Sequence, residues 1–243
     1  MRILTESMLR AAKLAENTKQ YNVASGVFVT PLAREYLRDR GIELINGAKG
    51  AGMPATPIEE RGGQTYVDAA TGAGYAAKPE RMTHLRGNLL VPKTHPRIAF
   101  RGKLDTLQGE IILAQTEACA EGQSALLADL GEVLDLTRQL MGAEVTGRDI
   151  EPVHLLGYNA CELRLVSHQI QEHFGMAHPV PHYSMGRLAA RLNLLRAQAR
   201  ETELAAERAF AATERDDILL ALNRLSSAIY ILLCRLLAGQ YGR

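Results

Sequence analysis

RIAFRGKLDTLQGEIILAQTEACA, residues 97–120, carries the repeat that decides the fold. Phe100, Leu104, Leu107, Ile111, Ala114 and Ala118 recur at alternating steps of four and three, the spacing of an apolar seam on a helix in an antiparallel bundle. Residues 186–212 repeat it with Leu188, Leu192, Leu195, Ala199, Thr202 and Ala206, and residues 214–238 with Ile218, Leu222, Leu225, Ile229, Leu232 and Leu236. Periodic text also covers 124–142 and 151–174, with short Gly- or Pro-bearing breaks between the segments,. The expected fold is all-α, a five-helix up-and-down bundle. Thr213 with Asp216 three residues on gives the last helix a capping-box start, and Gly239 supplies a stop,.

Residues 1–90 read as an N-terminal extension of short helices and loops, irregular and Gly-rich, and residues 91–243 as the bundle domain. In the extension, one helix is expected near 5–16. A second runs from Thr30-Pro31-Leu32 to Gly41, with Thr30 as cap, Pro31 at the first helical position and Gly41 as the left-handed stop,. The apolar face Leu4, Met8 and Ala11 with Ala12 and Ala15 suits a packed N-terminal helix or an encapsulation tag. Between Asn46 and Gly74 many glycines, two prolines and little periodicity indicate loop or short hairpin,.

Lys and Arg total 28 against 27 Asp and Glu, so no global field attracts nucleic acid or an anionic membrane. Cys119, Cys161 and Cys234 are far apart and odd in number, against a disulfide framework or a cysteine-rich metal site and in favour of a reducing cytoplasm. The apolar tail carries Asn223 and Arg224 where a membrane span would be most apolar,. A Walker-type phosphate loop is absent, and GAKGAG at 47–52 lacks the strand and helix that would give it meaning,.

The chemistry lies beside the seams. Arg101, Asp105 and Gln108 follow seam residues by one position, as do Arg196, Arg200, Glu203 and Glu207, and then Asn223, Ser226 and Tyr230. One residue is about 100° of rotation, so these side chains border the core. Three such borders are expected to meet at a cleft or a subunit contact. Arg196 and Arg200, one turn apart, repel by a few tenths of a kcal/mol unless an anion lies between them. Either a phosphate or an ordinary ion-pair network with Glu203, Glu207 and Asp105 satisfies that demand.

LNLLRAQARETE at 192–203 and DILLALNRLSSAIY at 217–230 resemble the signature of ethanolamine-utilisation corrinoid adenosyltransferases. The related propanediol-utilisation pattern R-x3-R-x2-E followed by L-N-R-L-S is met by Arg196, Arg200, Glu203 and Leu222 to Ser226. VPKTHPRIAFRGKLDTLQGEI at 91–111 is similar to that superfamily's first bundle helix, and KPERMTHL at 78–85 to the ethanolamine branch. The resemblance covers residues 78–236, and more weakly TESMLRAA and TPLAREYL near the start.

That resemblance implies a cobalamin adenosyltransferase-like bundle assembling as a homotrimer, with ATP and corrinoid held where subunits meet. It implies that Arg196 and Arg200 bind the triphosphate, that Glu203 and Asn223 hold ATP or its Mg2+, and that Asp105 pairs with an arginine of the next subunit. By the same resemblance Lys93, which matches a lysine preceding the first helix, is a further candidate phosphate ligand. Phe174 and Val180, in HFGMAHPVPHYSMG at 173–186, are the residues expected to pack beneath the corrin and displace its lower axial ligand. The implied substrates are ATP and cob(II)/cob(I)alamin. A flavin-type reductase and an adenosylcobalamin-dependent ammonia-lyase are the implied partners, in the cytoplasm or inside a bacterial microcompartment. Many ethanolamine-type enzymes carry a His and a C-C-x2-C metal group before the bundle. The matching stretch GGQTYVDAATGAGYAAKPE has no cysteine, so no zinc is expected there, and His173, His178 and His182 are read as loop histidines. The competing readings are a propanediol-type enzyme, and a non-catalytic microcompartment cargo or corrinoid-carrier bundle.

Overall fold

A computed structural model of the chain describes residues 2–4, 8–9, 18–23, 27–46, 66–211 and 215–242. It divides into two compact units, Met1–Lys93 and Thr94–Arg243.

The first unit corrects the expectation of an all-α chain, because its described residues are largely strands. β1 (Arg2–Leu4) pairs in parallel with β3 (Val27–Val29), and β2 (Gln20–Val23) with β4 (Glu43–Asn46). Leu4 therefore lies on a strand, opposite Val29. The period-two burial of Tyr21 and Val23 on β2 is a strand signal too short to stand out in the sequence. Helix α1 (Pro31–Asp39) forms as expected: Thr30 Oγ1 accepts the Ala33 N–H at 3.3 Å, and Gly41 takes φ 66°. Leu9, Ala33 and Leu37 pack with Tyr21, Val23, Val29 and Ile42 in a small core.

β5 (Tyr66–Asp68), β6 (Gly74–Tyr75), β7 (Met82–Arg86) and β8 (Leu89–Pro92) form a sheet in the order β6-β5-β8-β7. Thus 66–75, inside the Gly-rich stretch, is a hairpin. GAKGAG, Ala11, Ala12, Ala15 and most of the helix expected at 5–16 lie outside the described residues.

The second unit is mostly helical. α2 (Pro96–Ala120), α3 (Ser124–Thr146), α6 (Arg187–Phe210) and α7 (Asp216–Leu237) are its long helices. The most extensive packing joins α6 to α2 and to α7, followed by α2 to α3. All six seam residues of α2 and all six of α6 are buried, as are Ile218, Leu222, Leu225, Ile229 and Leu232 of α7. By length and composition α7 could cross a membrane, but 61% of its apolar window is buried in this unit.

The helix expected at 151–174 is broken. A hairpin of β9 (His154–Leu155) and β10 (Tyr158–Asn159) comes first, turning through Leu156 at φ 59° and Gly157 at φ 82°. Positive φ at both turn positions matches the twist of two-residue hairpins. The strained Leu156 is held at both ends: its N–H donates to Glu132 at 2.7 Å and its carbonyl accepts from Arg235 at 3.2 Å. α4 (Ala160–His168) then starts on a capping box made by Asn159 and Glu162, and Gln169 at φ −111°, ψ 49° separates it from α5 (Ile170–Phe174). The last helix also differs at its start. Its cap position is Arg215 with no side-chain cap bond, and Asp216 is its first residue; Thr213 lies outside the described residues.

Charge clusters at Glu144 and Asp217 are among those that fasten the helices. Glu144 of α3, with no solvent exposure, accepts from Arg97 Nε at 2.6 Å and from Arg101 Nε. Asp217 accepts from Arg215 twice at 2.8 Å and from the Ile150 N–H at 2.9 Å. Hydrogen bonding from Arg215 is the main cause that holds the Asp217 pKa down to about 2. A carboxyl group depressed on folding adds stability above its unfolded pKa and loses it as pH falls through the folded value.

Glu144→Ala should cost about 3–5 kcal/mol in urea unfolding, since it strands two inward-facing guanidiniums. Asp217→Asn should be less stable than wild type at pH 6, with the gap narrowing as pH falls from about 4 toward 2.

Candidate active site

Seam residues turn the two borders of α6 toward different neighbours. On one border, Arg191 donates to Glu110 at 2.8 Å and to Glu117 at 3.0 Å, and Arg187 reaches Glu121 at 3.1 Å. Glu201 closes the same border through Lys103 of α2 at 2.8 Å. These are ordinary ion pairs between α6 and α2.

The other border carries Arg196, Arg200, Glu203 and Glu207. Among the described residues neither Arg196 nor Arg200 closes an ion pair. Arg196 is half-buried; its Nη2 donates to Asn193 Oδ1 at a long 3.4 Å, and its Nε is buried without a hydrogen-bond partner. Its guanidinium carbon lies 5.8 Å from the centre of the Tyr230 ring, within cation–π range. Arg200 is exposed. Glu203 spends one oxygen on neutral Asn223, which donates from Nδ2 at 2.8 Å across the α6–α7 contact. Asn223 Oδ1 in turn accepts from Arg224 at 2.5 Å. Four of the expected residues thus lie on one joined α6–α7 border.

The remaining ones fall elsewhere. The α2 border faces α3: Arg101 bonds to Glu144 and Gln108 to the Thr137 carbonyl at 3.3 Å. Asp105, between them, is exposed, and no hydrogen bond or ion pair joins it to Arg196, Arg200, Glu203 or Asn223. The expected meeting of three borders therefore reduces, within one chain, to two. Lys93 belongs to the first unit and pairs with Glu80 at 2.9 Å.

The segment between α5 and α6 closes the site region. Phe174 packs partly against the bundle core, while Val180 is 79% exposed. Pro179, Pro181, His182, Tyr183 and Met185 line a half-open cavity of about 230 Å3 with Ala189, Ala190 and Asn193 of α6 and Leu233 of α7. His178, on the same segment, places Nδ1 2.8 Å from the Tyr230 hydroxyl, with the two rings stacked at 6.1 Å and 8°. Burial, with a smaller contribution from Cys234, raises the Tyr230 pKa to about 12. Burial likewise raises the Cys234 thiol to about 11, which makes it a poor nucleophile.

The sequence profile of the cobalamin adenosyltransferase family matches residues 76–236 of this chain. The chain belongs to that family. It is 32% identical over 247 residues to "Corrinoid adenosyltransferase EutT" of Salmonella typhimurium, covering 95% of this chain and 90% of the relative. To the protein of the same name in Escherichia coli K12 it is 31% identical over 246 residues, with the same coverage. No solved structure matches it at a significant level.

Two features of this cobalamin adenosyltransferase escaped the sequence reading. His178 stood among loop histidines, and only the fold shows that it meets Tyr230. Asn193 sits one step past the seam residue Leu192, the same offset as the other border residues, and this signal was available. Among the described residues no group of three or more His, Cys, Asp and Glu is placed to hold a metal ion.

Since Arg200 is exposed and closes no ion pair among the described residues, Arg200→Ala should leave the thermal midpoint nearly unchanged, a stability change within about 0.5 kcal/mol. Arg191→Ala, which strands Glu110 and Glu117, should lower it visibly.

Proposed function

We propose that this protein is an ATP:cob(I)alamin adenosyltransferase of the ethanolamine-utilisation type. The observation that carries the reading is the division of α6 arginines. Arg187 and Arg191 are neutralised by carboxylates, whereas among the described residues Arg196 and Arg200 close no ion pair with one. An anionic ligand satisfies that demand, and the family and the named relatives point to a nucleotide triphosphate.

In this reading cob(I)alamin, a nucleophile through its cobalt lone pair, attacks C5′ of ATP. The cobalt–carbon bond forms, the C5′–O bond breaks, and triphosphate leaves with the bonding electrons. Arg196 and Arg200 donate to the leaving phosphate oxygens, whose charge grows in the transition state. Asn223 and Glu203 hold the nucleotide. Mg2+, if carried in with ATP, supplies further charge neutralisation; Glu203 suits it, because its hydrogen-bond partner Asn223 is neutral.

Asp105, exposed on α2, fits an ion pair with an arginine of a neighbouring subunit in a homotrimer of helical bundles. Phe174 and Val180 pack beneath the corrin and favour loss of its lower ligand. The reading places the enzyme in the cytoplasm or a microcompartment, supplied by a flavin-type reductase and serving an adenosylcobalamin-dependent ammonia-lyase.

The direct test mixes the protein with ATP and chemically reduced cobalamin and follows the absorbance change of adenosylcobalamin formation. Arg196→Ala and Arg200→Ala should each lower kcat at least about 100-fold, matching roughly 3 kcal/mol for one lost charge-stabilising donor. Near-normal turnover in either variant, with the assembly intact, would sink the phosphate role. Phe174→Ala and Val180→Ala should diminish the spectrum of four-coordinate cobalt(II) formed in the presence of ATP, while leaving ATP binding in place.

A further inference from the structure

A closed path of contacts links the cavity to Arg196. Asn193 lines the cavity and accepts from Arg196 Nη2 at 3.4 Å. The Arg196 guanidinium lies over the Tyr230 ring at 5.8 Å. The Tyr230 hydroxyl meets His178 Nδ1 at 2.8 Å. Pro179, the residue after His178, lines the cavity with Pro181, which completes the path.

Two properties make this path more than a list of neighbours. Pro179 and Pro181 fix their own φ and restrict the residues before them, so an anchor at His178 is carried rigidly to the cavity wall. Arg196, meanwhile, is held by a ring face and one long hydrogen bond, with Nε unsatisfied, rather than by a carboxylate. A ligand anion that draws the guanidinium toward itself therefore acts directly on the ring to which the 176–186 segment is tied. Burial keeps the Tyr230 hydroxyl protonated across the working pH range, so it retains its proton in this contact.

We propose that Tyr230 is a positioning residue that ties the 176–186 segment to Arg196, so that phosphate binding at Arg196 and ordering of that segment over the cavity are one coupled event. This rests on the adenosyltransferase reading and deepens it: Tyr230 sets how the corrinoid side responds to ATP, without touching the reacting atoms.

The test is amide hydrogen exchange of residues 176–186 with and without ATP, together with separate measurements of ATP affinity and of the KM for cob(I)alamin. In the wild-type protein ATP should slow exchange in that segment. Tyr230→Phe keeps the ring beneath the guanidinium and removes only the hydroxyl. It should abolish the ATP-dependent protection and raise the corrinoid KM at least about fivefold, with ATP affinity within about threefold of wild type. His178→Ala should do the same, and the double variant should be no worse than either single one, as for two residues sharing one interaction.

Persistence of the protection in Tyr230→Phe, additive effects in the double variant, or a wild-type protein that binds ATP without any change in exchange of that segment would each overturn the proposal. Failure of the wild-type protein to bind ATP at all is a different result. It would end the adenosyltransferase reading itself, and the proposal with it.

Discussion

The rotation of α6 about its own axis is the constraint on which the site depends. Leu192, Leu195, Ala199, Thr202 and Ala206 are all but sealed from solvent, and turning the helix by a single residue would expose them and drive charge into the core. Burial at roughly 25 cal/mol per Å2 of apolar surface makes that rotation costly. With the seam fixed, Arg187, Arg191 and Glu201, each one position before a seam residue, reach toward α2, and Arg196 and Glu203, each one position after, reach α7. The first border collects Arg187, Arg191 and Glu201 against α2 partners of opposite charge. The second sets Arg196 against Tyr230 and Glu203 against Asn223, with Arg200 exposed between them. Packing sets the address of each charge, and chemistry follows from the address.

The same geometry explains why, within one chain, two of the three polar stripes meet. Around a bundle, like borders meet in pairs: the leading borders of α2 and α6 face one another through Lys103 and Glu201, and the trailing borders of α6 and α7 through Glu203 and Asn223. The trailing border of α2 is then left for α3, where Arg101 and Gln108 find Glu144 and Thr137. Sequence spacing gives the offset from the seam but not which neighbour lies on that side.

Legibility followed the length of each repeat. The seams of α2, α6 and α7 were readable because five or six turns of a four-three pattern outweigh any local exception. On α3 the buried set Leu126, Leu130, Val133, Thr137, Leu140 and Glu144 follows the same pattern, so the sequence did place a carboxylate in the core. Only the tertiary structure supplied Arg97 and Arg101 to meet it. The hairpin at His154 to Asn159 and the break at Gln169 were lost because a two-residue strand and a one-residue interruption leave no periodic trace. The described N-terminal strands, two to five residues each, left no trace for the same reason, apart from the short hairpin expected between Asn46 and Gly74.

The order of the helices along the chain has a bearing on how the bundle is made. α2 packs most extensively with α6, yet the whole of α3, the β9–β10 hairpin, α4 and α5 separate them in sequence. On a ribosome, the seam from Phe100 to Ala118 emerges well before its chief partner exists. α3 comes next, and its junction with α2 includes the Glu144 cluster, so a helical hairpin of α2 and α3 can shelter part of that seam during the wait. Long-range pairings form late and leave apolar surface open meanwhile. A slowly translated stretch between Gly147 and Gly186 would therefore prolong the interval in which the nascent chain is most exposed to aggregation.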